Sequence, residues 1–193
     1  MSIETENTFE DVEFKGISGI QKLTSKSFYN CRFIGCDFTS SDFSGTLFSD
    51  CHFQSSNLSL ITLGGTKLHT VEFKECKLVG VDFTSISKLI IKFAFYDSLV
   101  SGCNFSQLKL KTTDFINCQL NQTDFFQTDL TQSDFSRTDL TEAIFEETNL
   151  TSANFVDARN YDINPLKNKV RHATFSMPEA VTLLNALDIN IEY

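Results

Sequence analysis

The feature that most constrains this chain is a large apolar residue at every fifth position. One run of these centres extends from Phe28 to Phe83, and a second extends from Phe105 to Phe155. A smaller residue, usually Ser, Thr, Cys or Ala, lies two positions before each centre. A period of five fits neither an α-helix, with a period of 3.6, nor a strand, with a period of two.

A four-sided coil accommodates this period. If each five-residue unit forms one side, centres that are twenty residues apart stack in one column. The second run gives four columns: Leu110, Leu130 and Leu150; Phe115, Phe135 and Phe155; Leu120 and Leu140; Phe105, Phe125 and Phe145. Leu and Phe therefore segregate by side, which predicts an all-β, quadrilateral parallel β-helix. At ~4.8 Å per coil, about seven coils would form a rod roughly 35 Å long.

Two breaks interrupt the repeat. Residues 15–27 drop one residue of register, so we expect an irregular first coil that caps the rod. Residues 84–102 carry two extra residues. We interpret Ile90, Phe95 and Val100 as centres there, with the extra residues forming a bulge near Ser85 to Lys88. This bulge is either a small bend or a binding loop.

Composition and motifs argue against several classes of protein. The chain has 20 Phe but only 8 Gly and 2 Pro, which excludes a disordered or collagen-like chain. All six Cys occupy the small position, and the three His share no metal-ligand or triad spacing. We therefore expect no enzyme activity, no cofactor and no metal. A net charge of -9 opposes direct binding to nucleic acid.

Acidic residues are concentrated in residues 111–160, which carry nine acidic and three basic side chains. Most of these carboxylates directly precede a centre, so we expect them to project outward or to bond to the neighbouring turn. They form either a solvated surface or an acidic face that binds a partner. The candidate partner-binding residues are Asp114, Asp124, Asp129, Asp134, Asp139, Glu142 and Glu146.

The C-terminal segment leaves the repeat. Ser176 and Glu179 have the spacing of a capping box, and an apolar pattern after them predicts a short amphipathic helix. We expect this helix to cover the end of the rod and to form a dimer contact. The candidate dimerisation residues are Val181, Leu183, Leu184 and Leu187. The predicted domains are therefore a β-helix over 1–160 and a cap over 161–193.

The repeat units CDFTS, SDFSG, TDFFQ, TDLTQ and SDFSR resemble the pentapeptide-repeat family. This resemblance implies a right-handed quadrilateral β-helix with a short C-terminal helical cap. Asp162-Ile163-Asn164-Pro165, followed by Pro178-Glu179-Ala180 and a Leu-rich stretch, is similar to the end of the topoisomerase-protecting branch, which includes the McbG, Qnr and MfpA proteins. That branch implies a homodimer joined at its C-terminal ends. It also implies a DNA-mimicking rod that binds DNA gyrase or topoisomerase IV and counters quinolones or a gyrase-targeting toxin.

One departure from that branch keeps a second hypothesis open. The long loops of the Qnr proteins have no counterpart here beyond the two-residue bulge, so the chain could instead be a scaffold for an unrelated protein partner. The N-terminus lacks the pattern of a signal peptide, and no run of 18 apolar residues occurs. We therefore expect a cytoplasmic protein with no membrane partner.

Overall fold

Short parallel strands dominate the structure, which is a computed structural model that describes residue 3, residues 5–187 and residue 189. The strands are β1 (Thr8–Glu10), β2 (Glu13–Lys15), β3 (Ser27–Tyr29), β4 (Arg32–Ile34), β5 (Leu47–Gln54), β6 (Lys67–Lys74), β7 (Lys77–Val79), β8 (Ile91–Tyr96), β9 (Leu99–Ser101), β10 (Phe115–Ile116), β11 (Asn154–Phe155) and β12 (Thr174–Phe175). Two 3-10 helices, Phe83–Ser85 and Glu179–Leu187, are the helical elements of the described residues.

Every strand pair is parallel, and the paired residues are about twenty positions apart. The main ladder runs β1-β3-β5-β6-β8-β10, while β2 pairs with β4 and β4 pairs with β5. Isolated parallel bridges continue the same register through the remaining coils. The chain thus winds as a four-sided parallel β-helix. We number its sides in chain order: side 1 carries Leu110, Leu130 and Leu150, side 2 carries Phe115, Phe135 and Phe155, side 3 carries Leu120 and Leu140, and side 4 carries Phe105, Phe125 and Phe145.

A continuous column of nine stacked Phe rings runs along the inside of side 2. Consecutive ring centroids lie 4.6 to 5.3 Å apart, and the rings are close to parallel. The column consists of Phe14, Phe33, Phe53, Phe73, Phe95, Phe115, Phe135, Phe155 and Phe175. Rings on neighbouring sides meet edge to face, as Phe125 and Phe135 do at 5.8 Å. The predicted segregation of Leu and Phe by side is therefore confirmed.

Ser and Thr at the small inward position, two residues before a centre, donate hydrogen bonds to backbone carbonyls of the preceding coil. The Thr123 hydroxyl donates to the Val100 carbonyl at 2.9 Å, and the Thr148 hydroxyl donates to the Phe125 carbonyl at 2.8 Å. Ser133 donates to the Leu110 carbonyl in the same way. Because an unpaired buried hydroxyl is costly, this bond explains why Ser and Thr occupy an interior slot.

At most corners the chain turns at the residue two positions after the centre, where φ is positive. This residue is often not glycine: φ is 59° at Ser40 and 53° at Gln127. A left-handed conformation costs an ordinary residue about 1–2 kcal/mol. The corner amide partly offsets that cost by bonding to the next coil, as the Gln127 N–H does to the Glu146 carbonyl at 2.9 Å.

The first break in the repeat lies where the sequence predicts it. Phe9 and Phe14 pair with Phe28 and Phe33 at a separation of nineteen residues, whereas Lys22 bridges to Asp42 at the regular twenty. One residue is therefore missing from the first coil before Lys22. The coils that follow are regular as far as the second break.

The second break differs from the sequence interpretation. Phe95 and Val100 are fully buried centres as predicted, but Ile90 is 53% exposed, so its assignment as a centre is wrong. Leu68 pairs with Ile91 instead, and a register shift follows before Val71 pairs with Phe93. Three residues, 88–90, are thus inserted as an exposed bend after Ser87. The register shift removes one residue, so this coil is two residues longer than a regular one.

The large side chain of Phe93 occupies what is elsewhere the small inward position. It is 3% exposed and packs against Phe83, Phe95 and Phe105, with ring centroids 5.4 to 6.1 Å apart. Ile91 is only partly buried beside the core. Phe93 therefore fills interior space that a regular centre on side 1 would occupy.

The β-helix continues one coil beyond residue 160. Asn149 bridges to Lys169, and β11 pairs with β12. The Ser176 hydroxyl, expected to form a capping box, instead accepts a hydrogen bond from the Asp157 N–H at 2.8 Å. The segment after it is the 3-10 helix Glu179–Leu187, and Leu183 packs against the core.

All six cysteines are buried and unpaired with one another. Burial raises the pKa of the Cys51, Cys76, Cys103 and Cys118 thiols to about 12. Thiols of this kind are poor nucleophiles and poor metal ligands at neutral pH. Their position two residues before a centre, on the inside of the coil, agrees with a role in packing.

Replacing Phe135 with Ala tests the ring column. The Phe135 ring is fully buried and stacks at 5.1 Å on Phe115 and at 5.0 Å on Phe155, so we expect a loss of about 3–5 kcal/mol in the free energy of unfolding. Chemical denaturation provides the measurement. Phe126→Ala is the matched control, because Phe126 follows its centre and points outward, and its loss should be well below that of Phe135. Equal losses from both variants would contradict the inward assignment.

Candidate interaction surface

The outward carboxylates that precede each centre complete the turn in which they lie. Asp124 accepts a hydrogen bond from the Phe126 N–H at 2.8 Å. Asp139 accepts bonds from both the N–H and the hydroxyl of Thr141, at 3.1 and 2.7 Å. The frequent Asp-x-Thr spacing of the repeat thus has a local cause, since the side chain closes a turn within its own unit.

Asparagine makes the same bond at equivalent positions. Asn104 accepts from the N–H and hydroxyl of Ser106, and Asn149 accepts from those of Thr151. The turn needs an oxygen acceptor and does not need a charge. Replacing Asp with Asn at these positions therefore removes charge while leaving the turn intact.

The structure distributes the predicted acidic residues over all four sides of the rod. Asp114 and Asp134 are bridge partners on side 2, Asp129 lies on side 1, and Asp139 lies on side 3. Asp124, Glu146 and, at the adjoining corner, Glu142 lie on or next to side 4. The seven residues thus do not form one face, and their role in binding stays a prediction.

Hydrogen bonds from neutral side chains reduce the repulsion between Asp114 and Asp134 on side 2. The Tyr96 hydroxyl donates to Asp114 at 2.7 Å, and the Asn154 amide donates to Asp134 at 3.1 Å. Burial and the bond to Asp114 raise the pKa of Tyr96, so this hydroxyl keeps its proton. The like-charge contact between Asp114 and Asp134 is therefore partly compensated within the same side.

Sorting the charges by side shows a pattern that chain order hides. The side 4 segments from residue 41 to residue 147 contain five acidic residues and no Lys or Arg. These residues, which we call the acidic side, are Asp42, Asp82, Asp124, Glu146 and Glu147. Asp42, Asp82 and Glu147 are not among the residues predicted from the sequence, because charge counted along the chain does not separate the sides. Grouping charges at a period of twenty would have found them.

The acidic side ends beside a shallow surface groove in the last coils. This groove is lined by Glu142, Glu146, Asp162 and Lys167, among others. Lys167 forms an ion pair with Glu146 at 3.1 Å, and both side chains are about half exposed. Glu142 and Glu147 each accept a hydrogen bond from a Gln of the preceding coil, at 2.7 Å. Gln–Glu bonds between coils therefore hold these corner carboxylates in place.

The candidate dimerisation residues differ in exposure. Leu184 and Leu187 are 38% and 47% exposed, whereas Val181 and Leu183 are half-buried. Met177, just before the 3-10 helix, is also largely exposed. An apolar surface is therefore present at the C-terminal end of the rod. Whether a second copy covers it stays a prediction.

The fold and its repeat define a β-helix built from five-residue units. A family model described as a pentapeptide repeat region matches residues 26–94, and a model of pentapeptide repeats in eight copies matches residues 95–132 and 128–159. The chain belongs to the pentapeptide-repeat family. Neither model describes an enzyme. No curated protein matches the sequence significantly.

Solved structures confirm the predicted fold class. The chain is similar to full-length QnrB1, described as a plasmid-mediated fluoroquinolone resistance protein, with a TM-score of 0.65 and 19% identity over 94% of this chain and 100% of that one. A trypsin-treated QnrB1 variant matches with a TM-score of 0.63 and 19% identity, over 96% and 100% of the two chains. At this identity the likeness establishes the fold.

The best-bonded carboxylate of the surface gives a pH prediction. The Asp139 side chain is 18% exposed, and this burial acts to raise its pKa. Hydrogen bonds from Asn160, Thr141 and Arg159 outweigh burial and lower the pKa to about 2. Because the pKa is lower in the folded state, ionised Asp139 stabilises the fold above about pH 4, and this contribution is lost as the pH falls towards 2.

Asp139→Asn should therefore lower the Tm by about 2–4 °C near neutral pH, and the difference from wild type should vanish near pH 2. Thermal unfolding followed by circular dichroism across this range is the measurement. Asp157→Asn removes one exposed charge from a corner residue and is the control. A difference for Asp139→Asn that does not change with pH would contradict the assignment.

Proposed function

We propose that this protein acts without catalysis as a mimic of DNA that binds bacterial type II topoisomerase, either DNA gyrase or topoisomerase IV. Binding would protect the enzyme from quinolones or from a gyrase-targeting toxin. The observation that carries the proposal is the acidic side, a strip of carboxylates along one side of the rod with no intervening Lys or Arg. QnrB1, which shares the fold, is described as a fluoroquinolone resistance protein, and this makes topoisomerase the first partner to test.

The charge density of the strip is close to that of one DNA strand. From Asp42 to Glu147 the rod rises by about five coils, or about 24 Å at ~4.8 Å per coil. One strand of B-DNA carries about seven phosphates over that length. The acidic side carries five carboxylates over the same length. The DNA-binding surface of the topoisomerase would therefore meet a negative field somewhat weaker than that of DNA.

The second candidate function is that of a scaffold for an unrelated protein. The bonds that Asp124, Asp129 and Asp139 make within their own turns favour it, because these acceptors have a structural role without any partner. The insertion at 88–90 is also short for a projecting loop. The two functions differ in whether topoisomerase binding depends on the charge of side 4.

A homodimer joined at the C-terminal end is part of the proposal. Leu184 and Leu187 present apolar surface beyond the core that Leu183 covers. In a two-fold contact, the same apolar patch of each copy would pack against that of the other. The acidic coils of the two subunits would then flank the centre of the dimer.

The charge of the acidic side gives the functional prediction. The triple variant Asp124→Asn, Glu146→Gln and Glu147→Gln removes three charges, and the turn at Asp124 accepts an amide as it does at Asn104. We expect its affinity for purified gyrase to fall by at least tenfold, and wild-type binding to weaken as salt is added, because the attraction is electrostatic. Binding should be measured by surface plasmon resonance at two salt concentrations.

A matched variant removes the same number of charges elsewhere. Glu10→Gln, Asp11→Asn and Asp50→Asn lie on side 1 or its corners near the N-terminus, and this variant should bind gyrase like the wild type. Equal losses from both variants would show that only the net charge matters. No binding by the wild type at either salt concentration would leave the scaffold function in front.

The dimer contact gives a separate prediction. Leu184→Ser combined with Leu187→Ser removes the exposed apolar surface of the 3-10 helix without touching the side chain of Leu183. We expect the wild type to sediment as a dimer at tens of micromolar and the variant to sediment as a monomer. Leu60→Ser, at a residue 57% exposed on the rod itself, is the control. A monomeric wild type in sedimentation velocity would refute the dimer.

A further inference from the structure

Five lysines are gathered on side 1, in three consecutive coils. The segments 66–70, 87–92 and 108–112 occupy this side and contain no Asp or Glu. Their order along the chain fixes the side, because each lies between a side 4 centre and a side 2 centre. The residues are Lys67, Lys88, Lys92, Lys109 and Lys111, and we call them the lysine side.

Most of these lysines form no ion pair with a described residue, although Lys109 lies opposite Asp129 of the next coil. Within the described part of the chain, only Lys111 forms an ion pair, with Asp129 at 3.4 Å in the adjacent coil. Lys92 lies beside His69 in the strand register, and the Lys88 side chain is exposed in the inserted bend. A chain with a net charge of -9 thus carries one strongly positive surface.

The tip of this surface is apolar. Leu89 is 87% exposed, more than any other large apolar side chain of the described residues, and its neighbour Ile90 is 53% exposed. Both belong to the insertion at 88–90, an exposed bend for which the regular register of the coils has no place. Two adjacent aliphatic side chains are therefore exposed to water in a segment that also carries Lys88 and Lys92.

We propose that the lysine side and its tip bind the surface of an anionic lipid bilayer. Leu89 and Ile90 enter the boundary between head groups and acyl chains, where their burial removes apolar area from water. The lysines lie over the phosphate and carboxylate groups of the lipids, each adding to the affinity, while their long aliphatic stems accompany the tip.

The composition of the surface favours lipid over nucleic acid. Binding to a phosphate backbone would use the lysines but would leave Leu89 and Ile90 in water. The three segments also contain no Arg, Phe, Tyr or Trp, the side chains that stack on bases. Contact with a bilayer surface needs no spanning segment, and among the described residues no helix is long and apolar enough to cross a membrane.

Sedimentation with lipid vesicles tests the proposal. We expect the full-length protein to bind vesicles of phosphatidylcholine mixed with phosphatidylserine, not to bind vesicles of phosphatidylcholine alone, and to be released by added salt. Equal binding to the two kinds of vesicle, or no binding to the anionic ones, would overturn the proposal.

Two variants and their controls separate the contributions. Lys67→Gln, Lys88→Gln and Lys92→Gln together should weaken binding on the order of a hundredfold, at about fivefold per lysine. Lys22→Gln, Lys74→Gln and Lys77→Gln remove the same charge from the other three sides and should weaken it by much less. Similar losses from the two triple variants would show that net charge decides, and would overturn the proposal.

The apolar tip is tested in the same assay. Leu89→Ser with Ile90→Ser should weaken vesicle binding at least tenfold, whereas Leu60→Ser should not change it. Retained vesicle binding by the tip variant, together with binding of a labelled DNA duplex that depends on the lysines, would reassign the surface to nucleic acid. Gyrase binding does not enter this test, so the proposed function stands or fails separately.

Discussion

The contact on which the whole structure depends is the one between equivalent inward residues of successive coils. No coil can bury its own centres alone, so the two faces of each ring or aliphatic group are covered by its counterparts in the coils before and after it. The Phe column of side 2 and the hydroxyl-to-carbonyl bonds of the small position both require a separation near twenty residues. A change in chain length must therefore be absorbed outside the core, as it is at 88–90.

This dependence explains which features the sequence could predict. The columns, the buried cysteines and the first break follow from spacing alone, because spacing determines which residues stack. Spacing could not locate the second insertion. Three extra residues follow Ser87, and one residue fewer than usual lies between Lys92 and Phe93, so the spacing of the centres shows only the net gain of two. It also could not predict that Phe93 would fill the interior, or that Ser176 would bond to the Asp157 N–H instead of capping a helix.

The two charged surfaces could not be predicted from charge counted along the sequence, for a related reason. Charge counted along the chain gives an acidic segment at 111–160, but neighbours in the sequence point in different directions around the rod. Asp124 and Asp129 lie on adjacent sides, while Asp82 and Asp124 share a side. Viewed around the axis, an acidic side adjoins a lysine side. A single net charge of -9 therefore describes neither of the surfaces that a partner would meet.

The bond that closes each turn has a consequence for how such a chain can change over evolutionary time. Since Asp124 and Asn104 hold their turns in the same way, a single nucleotide change between Asp and Asn alters the surface field without disturbing the coil. Folding and partner choice then draw on separate sets of positions, with inward residues held fixed and outward ones free to vary. A lineage of these rods could acquire or lose an electronegative strip one residue at a time, each intermediate still folded.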